Sequence, residues 1–74
     1  MENILDTVNQ SILLNTKILK LYARICRYRE WIKKNRTSRN VDVAINTMHR
    51  TVEEYGEANF NQKILLSKMA ENKQ

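Results

Sequence analysis

Residues 14–32 read LNTKILKLYARICRYREWI, and this stretch decides the fold. Leu14, Ile18, Leu21, Ile25, Tyr28 and Ile32 recur at intervals of 4, 3, 4, 3 and 4, the repeat of one face of an α-helix. A second apolar seam runs beside it through Leu5, Val8, Ile12, Leu19, Tyr22 and Cys26. Together the seams make a face wider than the stripe of a two-stranded coiled coil, so this helix should meet more than one neighbour. Worked outward in both directions, the pattern predicts a first helix over residues 3–35. Ser11 and Asn15 interrupt the face, and Asn15 reads as a solvated edge residue more readily than as a buried one that fixes register. Neither Asn15 nor Thr16 is a strong helix former, which leaves a break there open.

The composition agrees with a helical chain. Its 74 residues contain no proline and one glycine, Gly56, so the usual helix breakers are nearly absent. Residues 35–40 (NRTSRN) have the polar character of a connection, with Thr37, Ser38 and Asn40 all competent N-caps. A second helix is expected over residues 41–55, with Val41, Ile45, Met48, Val52 and Tyr55 on one face and Gly56 ending it in the left-handed conformation. Asn59 and Gln62 have the spacing of a capping box, which predicts a third helix over residues 60–70 with Phe60, Ile64, Leu65 and Met69 as its apolar set.

The expected architecture is therefore all-α and a single small domain. It has a long N-terminal amphipathic helix of about 48 Å and two shorter ones, about 23 and 17 Å, packed back along it. The expected core comprises Val8, Ile12, Ile18, Leu21, Tyr22, Ile25, Tyr28, Ile45, Met48, Val52, Phe60, Ile64 and Leu65. Cys26 reads as a small buried hydrophobe. Two short helices can cover the length of the long one but not its width. Leftover apolar surface on the first helix then invites a homodimer or another protein.

Charge is concentrated rather than spread. Lys17, Lys20, Arg24, Arg27, Trp31 and Lys34 follow one another at intervals of 3, 4, 3, 4 and 3, a ridge on one helix face. Nine of the thirteen basic residues lie in the window 17–39 against one acidic residue, Glu30, a local charge of +8 in a chain whose total is +5. A localised basic face implies a class of partner, whereas diffuse charge implies only solubility.

Two functional readings and one structural reading of the ridge stand side by side. In the first, its cations track the phosphates of DNA or RNA, with Arg29, Lys33, Arg36 and Arg39 extending the patch and Trp31 stacking on a base. A transcription-associated regulator is one form of this reading. In the second, the same surface docks on an acidic host protein with Trp31 as an apolar anchor, as an inhibitor from a phage or other mobile element would. Nine asparagines and many isoleucines and lysines fit an AT-rich source of that kind. In the third, Glu53, Glu54 and Glu57 neutralise part of the ridge, and Lys33, Lys34 and Arg36 merely complement a helix C-terminus. Three carboxylates and Glu30 cannot neutralise nine cations, which limits this last reading.

Other chemistry finds little footing in the sequence. A single cysteine, Cys26, precludes an internal disulfide, and with the single histidine, His49, it cannot make a four-ligand zinc site. No Gly-rich phosphate loop or triad is present, so neither catalysis nor a cofactor is expected. The longest apolar runs are three residues, far short of a membrane span. With no basic-then-apolar leader, an intracellular, cytoplasmic location is expected.

Overall fold

The computed structural model describes residues 4–71 and contains two helices, α1 (Ile4–Lys34) and α2 (Val41–Glu71), of 31 residues each. Residues 35–40 join them, and the helices lie antiparallel in a rod measuring 56 × 15 × 14 Å. The all-α class is as expected, but the three-helix arrangement is not. The segments 41–55 and 60–70 are parts of one helix, and α1 runs unbroken through Asn15 and Thr16. The expected helix start at residue 3 lies outside the described residues.

The local stop signals in α2 are overridden by a longer pattern. Val41, Ala44, Met48, Thr51, Tyr55, Ala58, Gln62, Leu65 and Met69 alternate at intervals of 3 and 4 without interruption, and each is buried or half-buried. Breaking the helix at Gly56 would forfeit that continuous seam, whereas a glycine inside a helix costs only about 1 kcal/mol. Gly56 accordingly has no positive φ. Asn59 does not cap; its Nδ2 donates to the Tyr55 carbonyl one turn back at 3.1 Å. Gln62 turns to α1 instead of to a helix start, bonding to Ser11.

The matching seam on α1 is Thr7, Ser11, Leu14, Ile18, Leu21, Ile25, Tyr28 and Ile32, again all buried or half-buried. These are the core positions of a heptad repeat, and the two seams close on each other along the rod. Outside them, only Val8, Ile45 and Thr47 among the helical residues escape full exposure. The central cluster is Ile18, Leu21 and Ala58, with Leu14 and Tyr55 packed against it. Ala44, Thr51 and Ala58 fall seven residues apart on α2. Small side chains at that repeat leave room for the branched residues of α1 to fill the space between the backbones.

Several expected core residues are on the outside. Ile12, Tyr22, Val52, Phe60 and Ile64 are exposed, as is Cys26. Conversely Thr7, Ser11 and Thr51 are buried, although their polarity argued against it. Their hydroxyls are satisfied: Thr51 Oγ1 donates to the Thr47 carbonyl at 2.9 Å, and no buried side-chain polar atom among the described residues lacks a partner. Asn15 is exposed, as an edge residue should be. Among the described residues no helix is long and apolar enough to cross a membrane.

Candidate functional site

The heptad positions divide the rod into two flanks. Lys17, Arg24 and Trp31 occupy one position beside the α1 seam, and Lys20, Arg27 and Lys34 the next position outward on the same side. The ridge read from the sequence is thus one flank of the hairpin, and all six residues are exposed. From Lys17 to Lys34 it runs about 26 Å along the helix. Arg36 and Arg39, also exposed, continue it into the connection. Arg29 and Lys33 do not extend the ridge, because their heptad positions put them on the opposite flank. With Lys34, Arg36 and Arg39 they surround the loop end of the rod with cations.

Trp31 is placed by the way α1 ends. Its carbonyl accepts two hydrogen bonds from Asn35, one from the backbone N–H at 2.9 Å and one from Nδ2 at 2.8 Å. This satisfies a carbonyl that the last turn would otherwise leave open. The chain then turns through Ser38, whose N–H donates to the Asn35 carbonyl at 3.0 Å and whose Oγ accepts from the Asn40 N–H at 3.2 Å, a hydroxyl-stabilised turn that leads into α2. The first α2 bond is accepted by the Asn40 carbonyl from the Ala44 N–H at 3.0 Å, which puts Asn40 at the capping position.

The turn brings the start of α2 against the end of α1. Arg27, Tyr28 and Trp31 share a groove with Asn40, Val43, Ala44 and Thr47. Trp31 is 38% exposed, with part of its ring buried and part presented to solvent. The groove has an aromatic and aliphatic wall with Arg27 at its edge, a shape suited to a flat or apolar group approached by negative charge. Val43, Ala44 and Thr47 were not legible as site residues, since they belong to a second helix whose register against α1 is set by contacts between the helices and not by the pattern of either one.

Arg50 is a further exposed cation on the ridge side of α2, at the outward position shared with Val43 and Glu57. Glu54 and Glu57 lie on this flank and Glu53 on the back of the rod. No ion pair between these carboxylates and the ridge forms among the described residues. By register Glu54 and Glu57 stand level with the Lys17–Arg24 half of the ridge, leaving Arg27, Trp31 and Lys34 in a field dominated by cations. Among the described residues there is also no group of three or more His, Cys, Asp or Glu side chains able to hold a metal ion.

No protein-family model, curated protein or solved structure shows significant similarity to the chain.

Proposed function

We propose that the hairpin is a non-enzymatic nucleic-acid-binding protein whose basic flank follows a sugar–phosphate backbone. The observation that carries this reading is the alignment of five exposed cations, Lys17, Lys20, Arg24, Arg27 and Lys34, along about 26 Å of one rigid helix. One strand of a duplex presents about eight phosphates over that length of axis, so there are enough phosphates within reach of the row to neutralise several of its five charges. Trp31 supplies a ring face at the loop end of the line, where an unpaired base would stack. The decisive test is fluorescence anisotropy with labelled duplex DNA, single-stranded RNA and a stem–loop. Wild-type protein should bind at 150 mM salt, and R24E/R27E should lose affinity for every sequence alike with helix content unchanged. No binding of any nucleic acid at that salt would end this reading.

A second reading is favoured by the groove itself. Its wall of Tyr28, Val43 and Ala44 around Trp31 is as suitable for an apolar side chain of an acidic host protein as for a base. In that case Trp31→Ala abolishes the protein complex, and the wild type has no affinity for DNA or RNA.

A further inference from the structure

The groove at the loop end of the rod is small. It encloses about 450 Å³, within the size range of ligand sites. Its lining runs from Arg27 to Trp31 on α1 and from Val43 to Thr47 on α2, about 6 Å along each helix. That length takes one ring and not a peptide strand or helix. The half-buried Tyr28 and Ala44 form its floor, and Trp31 flanks it with part of the indole in solvent. The Asn40 side chain lines it as well. Only the backbone of Asn40 is used at the start of α2, and its amide group has no hydrogen-bond partner among the described residues. A donor and an acceptor are therefore free at the rim for the edge of a planar ligand. Arg27 belongs to two features at once, as the edge of this groove and as a member of the cation row.

Row and groove ask for different nucleic-acid structures. A duplex carries one charge per about 1.7 Å of axis, twice the density of either of its strands, and so answers the cations best. The groove can take only a base whose face is open, and a base paired within a stack offers none. We infer that the preferred ligand is a duplex that runs into an unpaired nucleotide, at an overhang or the foot of a loop, with its stem along the row and its first unpaired base in the groove. The inference rests on the nucleic-acid reading above and narrows it from any backbone to a junction. The order of the parts along α1 supports it. Trp31 lies between Arg27 and Lys34, so the groove opens at the end of the row, and the exposed Arg36 and Arg39 lie beyond it to receive the phosphates of the extension. Charge selects the occupant: with cations on both sides of it, the groove favours a ring that brings its own negative group, as a nucleotide does and an apolar side chain does not.

The test uses ligands built on one duplex of about 12 base pairs, long enough to span the row. The duplex is blunt, or carries a short single-stranded extension of either polarity, or carries the same extension without its bases. The unpaired strand alone completes the set, which is made in DNA and in RNA. Fluorescence anisotropy at about 150 mM salt should show wild-type protein binding the extended duplex about 10-fold or more tightly than the blunt duplex or the strand alone. The base-free extension should bind like the blunt duplex, and Trp31→Ala should bring extended and blunt ligands to equal affinity. Trp31 is the sole tryptophan, so in the wild type its fluorescence should be quenched by the natural extension and not by the base-free one. That readout stands even if Trp31→Ala fails to fold. Equal binding of blunt and extended duplexes, with affinity lost in R24E/R27E, overturns the junction and leaves the nucleic-acid reading in place. A base-free extension as good as the natural one, or a strand alone as good as the extended duplex, overturns the junction as well. No binding of any ligand overturns both readings, and the groove then belongs to an apolar side chain of a protein partner.

Discussion

Ser11 and Gln62, 51 residues apart in the chain, hold each other across the seam by a reciprocal pair of hydrogen bonds. Ser11 Oγ donates to Gln62 Oε1 at 3.1 Å, and Gln62 Nε2 donates to the Ser11 carbonyl at 3.3 Å. The second bond is unusual in kind, because the Ser11 carbonyl already belongs to the α1 ladder and uses its remaining lone pair. A one-heptad slip of either helix would separate the two residues by about 10 Å, so the pair marks a single antiparallel alignment. Neighbouring apolar layers are more tolerant of such a slip than this polar one.

Removing one member of that pair should cost more than removing both. Gln62→Ala leaves the Ser11 hydroxyl in the seam without its acceptor and should destabilise by about 1–2 kcal/mol. The double variant S11A/Q62L replaces the polar layer by an apolar one and should be neutral or stabilising. Urea unfolding of the wild type, Gln62→Ala and S11A/Q62L measures the difference, and a double variant less stable than Gln62→Ala would contradict it.

Truncation at the centre of the rod should discriminate seam from surface. Leu21, 4% exposed and part of the central cluster, should lose about 2–4 kcal/mol on replacement by alanine. Phe60 is larger but exposed on the back of α2, and Phe60→Ala should change stability by less than about 0.5 kcal/mol. Equal losses at the two positions would mean that the seam is not where stability resides.

Gly56 gives a prediction whose sign separates two architectures. In a helix that ends at residue 56 the glycine would be left-handed, and Gly56→Ala would be strained. Within continuous α2, where a Cβ meets nothing within 4 Å, Gly56→Ala should raise stability by about 0.5–1 kcal/mol. Chemical denaturation at a fixed protein concentration reads the sign.

Salt should report how many ridge cations meet phosphate. Five contacts on a duplex give a log–log slope of affinity against salt of about −4.5, and R24E/R27E should flatten it by about 2. Trp31→Ala should leave that slope nearly unchanged while weakening single-stranded RNA more than duplex DNA, since stacking needs an exposed base face. An equal loss on both substrates would remove Trp31 from the role of stacking platform.

How much of this was legible in the sequence follows from the range over which each signal acts. The α1 seam and the basic ridge lie on a single helix, so their spacing alone sets Ile18, Leu21 and Arg24 on their faces. The α2 boundaries were misread because Gly56 and the Asn59–Gln62 spacing are local signals, and a 29-residue heptad pattern outweighs them. Thr7, Ser11 and Thr51 were missed as core because chemistry was weighed before register, and Ala58 because it falls in the expected break between residues 55 and 60. Ile12, Tyr22 and Val52 were assigned to the core because they are apolar, yet two helices have only one seam to fill. The Trp31 groove was half visible: its α1 side is periodic, while Val43, Ala44 and Thr47 arrive through the antiparallel turn.

A rod one seam thick also has a direction in which it comes apart. Each layer of side chains touches only the layers above and below it, as in a repeat protein, so opening propagates stepwise instead of all at once. At the loop end the helices are tethered by six residues, whereas at the far end the inward groups of α1 are the hydroxyls of Thr7 and Ser11. Amide protons there should exchange with deuterium orders of magnitude faster than those around Leu21 and Ala58, as a zipper gives first at its untethered end. The basic tip and Trp31 sit at the opposite end, so a ligand gripping them would leave those far-end openings almost untouched.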